Sequence, residues 1–468
     1  MALSLVHIVR LALVGLVAFL PIASARPAPQ FPRAPQHPDN DPFYKPPAGF
    51  ESKAPGTILA NRVITAAFFG IIPNDVEAHQ LLYRTVAIDG SAISTVTTIF
   101  KPKNAKLDRF VSFATAYDSA ATKCHPSYGY QQGAPQDSLI ASVEMLIIEI
   151  YLALGYVVAS PDYEGPDAAF GAGRLSGTGV LDGVRAVQNF ETLGLKENPM
   201  VVGVGYSGGA IATGWAASLQ PKYAPELNIK GWVQGGTPSN LTGTIYQIDD
   251  TVFAGFLPTA IVGLAKPSAY GAELNSIITE VVTAEGQKVL ETVGSECAIG
   301  ALAAFLGKSI LDPSFQTLGE GFVHEPTVKK VLQQTVMGVD KDETPTAPTL
   351  VYHATKDEII PYNDASKMAK SWCDSGADVR FTTYASGGHA TTEIVGIPEA
   401  INFVQDAFAG KTKRGCTKST KLGTVLNPLA LGVNLEPILL KLIEGLLRLG
   451  DEDQNVKNDP ISVLKTIL

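Results

Sequence analysis

Short apolar runs alternate with segments of helical period along most of this chain. The apolar runs are four to seven residues long, as buried strands are, and they span 111–117, 156–160, 200–204, 229–233, 349–352 and 379–384. The segments between them carry apolar residues at helical spacing, and they span 141–154, 179–193, 210–219, 364–372 and 398–409. Strands that alternate with helices form a parallel sheet covered on both faces. The pattern therefore predicts an α/β fold with a mostly parallel sheet.

The alternation stops between residues 243 and 340. This stretch has apolar residues at helical spacing and few β-branched runs, so it predicts a helical insertion above the sheet. The alternating pattern occupies 49–242 and resumes over 341–415, and we interpret these as two parts of one domain. Residues 416–468 are predicted to form a C-terminal tail, with an amphipathic segment at 435–449.

The N-terminus has the pattern of a secretory signal peptide over residues 1–25. Arg10 precedes an apolar run at 11–20, and small residues at 23–25 form a cleavage site. The apolar run is too short to cross a bilayer, which needs about 20 residues. A Pro-rich stretch at 26–48 follows and is predicted to be an extended leader. The sequence therefore predicts a secreted, extracellular protein.

No later segment is predicted to cross a membrane. The apolar run at 139–159 comes nearest, but Glu144 and Glu149 interrupt it at helical spacing. We therefore predict no transmembrane segment in the mature chain.

Composition excludes other classes of protein. The chain has 468 residues, a formal net charge of −9, 46% hydrophobic residues and 17% charged residues. This apolar content suits a large buried core, and so little charge does not suit a disordered chain. A mildly acidic chain without a basic, aromatic-interleaved patch is not expected to bind nucleic acid.

Four cysteines follow the signal: Cys124, Cys297, Cys373 and Cys416. An even number in a secreted chain favours two disulfides, with three possible connectivities. No pair has CxxC spacing, so no metal site is predicted. Asn240 begins an N-glycosylation sequon and is a candidate for modification.

Candidate chemistry centres on Ser207, within Gly205-Tyr206-Ser207-Gly208-Gly209. Gly-x-Ser-x-Gly alone is a weak signal, but here it follows a predicted strand and opens a predicted helix, as a nucleophile elbow does. Gly205 and Gly209 lack side chains that would collide with the neighbouring elements in so tight a turn. The backbone N–H of Gly208, at the helix N-terminus, is placed to stabilise an oxyanion.

Elimination among the seven histidines identifies a base for this serine. His7 lies in the signal, His37 in the leader, and His353 inside the strand that is predicted to begin at 349 and extend to 354, where a buried structural histidine is expected. In hydrolases with an elbow the chain order is serine, acid, histidine. His389 fits that order, and it follows the predicted strand 379–384 in a glycine-rich loop at the carboxyl edge of the sheet.

The acid should lie between Ser207 and His389, after a strand. Asp357 follows the predicted strand at 349–352 and would hold the histidine tautomer and stabilise the imidazolium. Glu358 is the alternative, because successive side chains point in different directions and only one of the two can face the histidine.

A second oxyanion donor is expected in the loop after an early strand. Asp118 follows the predicted strand 111–117, and its protonated carboxyl or its backbone N–H could donate a hydrogen bond. A plain turn residue at the end of a strand is the competing interpretation of Asp118.

These residues lie in motifs that resemble the fungal secretory lipase family. The likeness covers about 60–415, and its specific motifs are Tyr117-Asp118-Ser119-Ala120, Asp162-Tyr163-Glu164-Gly165, Leu181-Asp182-Gly183-Val184-Arg185-Ala186, Gly205-Tyr206-Ser207-Gly208-Gly209-Ala210, Tyr223-Ala224-Pro225-Glu226-Leu227-Asn228-Ile229, Gly235-Gly236-Thr237-Pro238, Phe253-Ala254-Gly255-Phe256 and Asp357-Glu358-Ile359-Ile360-Pro361-Tyr362. The resemblance implies an α/β-hydrolase fold with a helical lid between nucleophile and acid, at 243–340.

The family's site residues map onto the residues chosen above. The resemblance implies a triad of Ser207, Asp357 and His389, and an oxyanion hole at Asp118 and Gly208. It also implies the disulfide pairing Cys124–Cys297 and Cys373–Cys416. The chain departs from the family at Gly388, where a polar or acidic residue is usual, and beyond about residue 420, where the tail does not align.

The leading hypothesis is a secreted carboxylic ester hydrolase. Its substrate would be an acylglycerol, cleaved through an acyl-enzyme at a lipid–water interface, and no cofactor is predicted. The alternative is a narrow esterase or deacetylase for an acylated secondary metabolite such as a trichothecene. Both hypotheses use the same motif residues, because the pockets for the acyl and alcohol groups decide specificity. A catalytically silent binding protein is a third hypothesis, and the complete set of reactive residues argues against it.

Overall fold

The computed structural model describes residues 34–422. The predicted signal, the first part of the predicted leader and the amphipathic segment at 435–449 lie outside the described residues. Within 34–422, no helix is both long and apolar enough to cross a membrane.

A ten-stranded sheet forms the centre of the described chain. In chain order the strands are β1 (Ile58–Ile64), β2 (Ala67–Phe68), β3 (Ile72–Pro73), β4 (Val76–Val86), β5 (Ala92–Pro102), β6 (Arg109–Ala114), β7 (Val157–Pro161), β8 (Met200–Tyr206), β9 (Ile229–Gly235), β10 (Thr349–Ala354), β11 (Val379–Tyr384) and β12 (Thr417–Lys421). The spatial order of the large sheet is β1-β4-β5-β7-β6-β8-β9-β10-β11-β12, and β2 and β3 form a separate pair. From β7 to β12 every neighbouring pair is parallel. The predicted mostly parallel sheet is therefore confirmed.

Helices cover both faces of this sheet. In chain order they are α1 (Pro126–Gly129), α2 (Leu139–Ala153), α3 (Gly173–Gln188), α4 (Gly208–Tyr223), α5 (Leu241–Ile248), α6 (Phe256–Leu264), α7 (Gly271–Val281), α8 (Ala284–Val293), α9 (Ala298–Ala304), α10 (Pro326–Gln334), α11 (Tyr362–Asp374) and α12 (His389–Phe408). Successive residues of a strand face opposite sides. Accordingly Val201 of β8 packs in a cluster with α3 and α4, whereas Val202 packs in a cluster with α2 and α12. Burial of each such side chain stabilises the folded state by about 1.5–3 kcal/mol.

The predicted insertion at 243–340 is helical, and it contains five of the helices, α6 to α10, with α5 beginning just before it. Most members of one apolar cluster come from these helices, among them Leu257, Leu274, Phe322 and Val331, and Leu175 of α3 joins it from the sheet domain. The segment therefore packs as a helical layer against the sheet domain and contributes no strand to the large sheet among the described residues.

Three boundaries differ from the sequence prediction. The antiparallel strands β1, β4 and β5 were not predicted, and they extend the sheet on one side. On the other side β12 pairs with β11, so the sheet includes the first residues of the predicted tail at 416–468. The end of the predicted leader at 26–48 is also not simply extended, because Asp41 accepts a hydrogen bond from Arg62 of β1 at 2.6 Å.

The four cysteines form two disulfides, and the pairing is the one that the resemblance implies. Cys124–Cys297 joins the segment after β6 to the residue before α9, across 173 positions of the chain. Cys373–Cys416 joins α11 to the residue before β12, across 43 positions. One disulfide thus ties the inserted helices to the sheet domain, and the other anchors the edge strand.

Candidate active site

Ser207 stands on a sharp turn between β8 and α4. Its backbone has φ +51° and ψ −122°, a region that side-chain-bearing residues rarely adopt. The backbone N–H of Ser207 donates to the carbonyl of Gly235 on the adjacent strand at 2.9 Å, which holds the strained residue in place. The predicted strand–turn–helix context of the elbow is therefore confirmed.

Two glycines make this turn possible. A Cβ at Gly205 would lie 2.3 Å from the carbonyl oxygen of Gly209, and a Cβ at Gly209 would lie 1.9 Å from the carbonyl oxygen of Ala114. Both distances are far below contact, so any larger residue would force the helix and strand apart. The sequence argument for glycine at these two positions holds.

His389 connects Ser207 with Asp357. Its Nε2 lies 2.8 Å from Ser207 Oγ, and its Nδ1 lies 2.7 Å from Asp357 Oδ2. With Nδ1–H donating to the carboxylate, Nε2 has its lone pair free to accept from the serine hydroxyl. The three predicted residues therefore form one hydrogen-bonded chain across β8, β10 and the start of α12.

The position of His389 differs from the prediction in one respect. His389 is the first residue of α12 and does not lie in a loop, because the helix begins at 389 and not at 398. Pro398 lies inside this helix, although proline is more usual in a first turn. Burial of Ile394, Val395 and Ile397 against the sheet explains why the two turns before Pro398 are helical.

Asp357 is fully engaged by hydrogen-bond donors. Its Oδ1 accepts from the backbone N–H groups of Ile359 at 3.0 Å and Ile360 at 2.8 Å. Its Oδ2 lies 3.2 Å from Nε2 of His353 as well as near His389. Burial alone would raise the pKa of Asp357, but the positive charge of His389 and the bonds from both histidines hold it well below its ordinary value. Asp357 is therefore an anion at any working pH.

His353 is buried as predicted, but it does more than fill the core. Its Nε2 lies 3.1 Å from the carbonyl of Ile360 and also contacts Asp357. This second role cannot be predicted from the residue pattern, because a histidine inside a strand looks the same whether or not it faces a carboxylate.

Glu358 and Tyr206 hold His389 by its backbone. Glu358 accepts a hydrogen bond from the His389 N–H at 3.0 Å, at the N-terminus of α12, where a carboxylate is favoured. The Tyr206 hydroxyl donates to the His389 carbonyl at 2.7 Å. Glu358, the alternative acid, thus contacts the main chain of the histidine, and Asp357 contacts its ring.

The surroundings of His389 stabilise its positively charged form more than water would. Burial by itself lowers the pKa of His389, but the charge and hydrogen bond of Asp357 outweigh burial, and the pKa rises to about 9. The imidazolium formed by taking a proton is therefore stabilised by its surroundings.

Asp118 lies beside the elbow, on the loop after β6. Its φ is +45°, and its Oδ1 is buried with no hydrogen-bond partner among the described residues. A Cβ added to Gly208 would lie 1.8 Å from that oxygen, so only glycine allows this approach. Burial raises the pKa of the Asp118 carboxyl to about 6, with the positive charge of His389 opposing it.

An apolar pocket opens at Ser207. It holds about 970 Å³ of space between atoms, counting its open mouth. The sheet domain contributes Asp118, Ser207 and Gly208, together with the apolar residues Phe170, Ile211, Pro238, Ile359 and Ile360. Helices of the insertion and α5 provide most of the remaining wall, through Leu241, Ile245, Phe256, Leu257, Ala260, Ile261, Leu264, Leu274, Ile278, Val331 and Leu332. A chain of methylene groups is the chemistry that such a wall accommodates.

The remaining predicted sites are placed as follows. Asn240 precedes α5, and its Nδ2 donates to Asp364 Oδ2 at 3.2 Å, so a glycan there would replace this contact. Glycosylation of Asn240 stays a prediction. Across residues 34–422, no group of three or more His, Cys, Asp or Glu side chains is arranged to hold a metal ion.

The sheet order and the strained elbow define an α/β-hydrolase. A family model described as secretory lipase matches residues 130–415. The secreted triacylglycerol lipase LIP1 of Malassezia furfur is 44% identical over 405 residues, which is 86% of this chain and 82% of the relative. The secreted triacylglycerol lipase LIP3 of Malassezia globosa is 40% identical over 90% of this chain and 93% of the relative. This chain belongs to the secretory lipase family and is a secreted carboxylic ester hydrolase.

Solved structures agree with this assignment. Candida antarctica lipase A in its closed state superimposes with a TM-score of 0.79 at 31% identity, over 88% of this chain and 95% of that one. The rice cell wall degrading esterase LipA of Xanthomonas oryzae has a TM-score of 0.56 at 15% identity, over 77% of this chain and 100% of that one. The second likeness concerns the fold alone.

Proposed function

We propose that this protein is a lipase that cleaves acylglycerols with long acyl chains, with Ser207 as nucleophile, His389 as base and Asp357 as the acid. One observation carries the proposal: Ser207 Oγ lies 2.8 Å from His389 Nε2, and Ser207 lines the apolar pocket. A reactive hydroxyl in the wall of an apolar pocket suits an ester whose acyl part is a hydrocarbon chain.

The geometry supports acyl transfer in two stages. Ser207 Oγ attacks the ester carbonyl carbon while His389 Nε2 takes its proton, and Asp357 stabilises the imidazolium. The tetrahedral intermediate then expels the alcohol, which receives the proton from His389. Water, deprotonated by the same histidine, cleaves the acyl-enzyme and releases the fatty acid and free Ser207.

The negative charge of the tetrahedral intermediate needs two donors. The backbone N–H of Gly208 is one, at the positive end of α4. We propose that the protonated carboxyl of Asp118 is the other, because its Oδ1 is unpartnered among residues 34–422 and faces Gly208. Burial raises its pKa to about 6, so the neutral form that can donate is more populated than in an exposed aspartate.

We also propose that residues 243–340 act as a lid. This segment supplies apolar side chains to the pocket wall and most members of one apolar cluster. Displacement of the lid would present that wall to a lipid surface, where the ester substrate is concentrated.

A fluorophosphonate probe and two triglycerides test the proposal. The probe labels wild-type protein, and Ser207→Ala abolishes labelling, because this variant lacks the hydroxyl that lies 2.8 Å from His389 Nε2. Wild-type enzyme hydrolyses both tributyrin and triolein, and its rate rises steeply when tributyrin exceeds its solubility. Persistent labelling of Ser207→Ala would place the nucleophile elsewhere.

The alternative substrate class is separated by the same assay. Hydrolysis of acetylated metabolites or tributyrin without any cleavage of triolein contradicts the long-chain proposal and favours a narrow esterase or deacetylase. A rate that follows ordinary saturation through the solubility limit contradicts the lid.

A further inference from the structure

Glu144 is a buried acid on an otherwise apolar helix. It lies on α2 among the core residues Met145, Leu146 and Ile148, and only 2% of its surface is exposed. Its Oε2 accepts a hydrogen bond from the backbone N–H of Ala116 at 2.6 Å. Ala116 stands two residues before Asp118, so Glu144 holds the segment that carries the proposed oxyanion donor.

Glu393 contacts Glu144 from helix α12. It lies one helical turn after His389 on α12, and the two glutamate carboxyl groups share a hydrogen bond. The Glu393 Oε1 is buried and has no partner among residues 34–422. The pair therefore bridges the Asp118 segment and the helix that begins with His389.

Two carboxyl groups this close cannot both be ionised in a buried setting. Burial, followed by the charge of Glu393, raises the pKa of Glu144 well above its ordinary value. Burial also raises the pKa of Glu393, to about 7, although the positive charge of His389 opposes it. The pair thus keeps at least one proton at neutral pH, and an O–H of one carboxyl donates to an oxygen of the other.

Titratable groups from several elements surround the pair. Asp118 faces both glutamates, and His389 faces Glu393. The phenols that face Glu144 are Tyr130 and Tyr163, and those that face Glu393 are Tyr206 and Tyr352. Of these groups only His389 can carry a positive charge, so a second negative charge on the pair has no cation of its own.

We propose that Glu144 and Glu393 form a proton-sharing carboxyl pair that positions Asp118 and His389 on either side of Ser207. The inference rests on the proposed function. Both glutamates act through other residues, so they are positioning residues. Loss of the last shared proton in alkaline solution would replace a hydrogen bond with repulsion between two anions and push the two segments apart.

Leucine and glutamine variants test this pair on a short soluble ester, p-nitrophenyl butyrate. Glu144→Leu leaves the Ala116 N–H unpaired and lowers kcat by about tenfold or more, with KM little changed, because the oxyanion segment shifts. Glu393→Leu removes the bridge alone and lowers kcat less. Glu144→Gln and Glu393→Gln restore kcat, since an amide accepts and donates the same hydrogen bonds.

The pH dependence separates positioning from simple packing. The ratio of kcat for Glu393→Gln to kcat for wild type stays flat near neutral pH and rises in alkaline solution, where the wild-type pair loses its last shared proton and the amide keeps its donor. Infrared difference spectra of wild type minus Glu393→Gln show the carbonyl stretch of a protonated carboxylic acid at neutral pH. Glu149→Gln, on the same helix, is the matched control and changes none of these measurements.

Three results would each overturn the proposal. They are wild-type kcat in both leucine variants, glutamine variants that are as impaired as the leucine variants, and a kcat ratio that does not change at any pH. If the leucine variants do not fold, the glutamine ratio and the infrared band decide. Failure of the proposed function looks different: wild-type enzyme would then hydrolyse no ester, and the infrared band would still report whether the pair holds a proton.

Discussion

The sheet domain and the inserted helices contribute to the same pocket by different physical means. The sheet domain supplies the hydrogen-bonded chain Ser207–His389–Asp357, and each member stands at the carboxyl end of a parallel strand or on a helix start. The insertion supplies methyl, methylene and phenyl groups from α6, α7 and α10. The first region needs exact geometry, whereas the second needs only volume and apolarity.

This difference explains what a sequence can reveal about each region. The tight turn at Ser207 accepts only particular residue types, such as glycine at 205 and 209, and these residues form a recognisable sequence motif. An apolar wall can be built from many combinations of leucine, isoleucine, valine and phenylalanine. Sequence motifs therefore identify the reaction chemistry, whereas the shape of the pocket decides which acyl chains are preferred.

The largest expected effect comes from the sheet domain. Asp357→Asn should lower kcat by about 10⁴-fold on every ester, because an amide no longer holds His389 in the correct tautomer or stabilises its cation. Measurements with butyrate and oleate esters check this. A loss confined to oleate esters would contradict the division between the two regions, and circular dichroism controls for folding.

Asp118 tests the proposed second oxyanion donor. Asp118→Ala should cost about 10²–10³ in kcat, whereas Asp118→Asn keeps a donor and retains most activity. The asparagine variant should also gain relative to wild type above pH 6, where the carboxyl loses its proton. Equal activity of the alanine variant and wild type would assign the role to a backbone group.

A change in the insertion should act on one substrate class alone. Ala260→Trp fills the pocket wall and should lower kcat/KM for oleate esters by about 10- to 200-fold while leaving butyrate esters within about threefold. Ala303→Trp, exposed on α9 of the same insertion, is the matched control. Equal losses on both esters would mean that the insertion also shapes the reacting groups.

The smallest expected effect is a shift in pH dependence. His389 must be neutral to act as a base, and its pKa is raised to about 9, so in an Asp118→Asn background, where the oxyanion donor does not titrate, kcat/KM should rise with pH toward that value. The negative charge of Glu358 is among the causes. Glu358→Gln should therefore move the rising limb to lower pH by up to about one unit. A shift to higher pH would contradict this electrostatic role.

The sequence predicted the parallel half of the sheet and not the antiparallel half. Strands β6 to β11 are short apolar runs and were recognisable, although their ends moved by a few residues. Strands β4 and β5 are eleven residues each and carry many threonines and other polar residues, some of which are buried, such as Thr97 and Thr98. Buried polar residues that are satisfied only by tertiary partners cannot be recognised from hydrophobic pattern alone.

The same limit applies to the site. Ser207, Asp357 and His389 follow from chain order and strand ends, and the structure brings them together. The contacts of Tyr206, His353 and Glu358 do not follow, because each depends on which way a side chain turns after its strand or turn. The shared hydrogen bond of Glu144 and Glu393 joins residues almost 250 positions apart, and the sequence showed only that Glu144 interrupts an apolar helix.

Within residues 34–422, β12 is an edge strand of the large sheet, and the residues of an edge strand affect whether a secreted protein aggregates. A sheet that ends in an open strand invites pairing with another chain, and secreted proteins have no intracellular chaperones to prevent it. The sequence of β12 is Thr-Lys-Ser-Thr-Lys, and all five residues are exposed. Two lysines in five residues make that edge repel a second copy of itself. We therefore expect the Cys373–Cys416 disulfide, which fixes the start of β12, to reduce self-association, because it keeps a lysine-bearing strand paired along the backbone edge of β11.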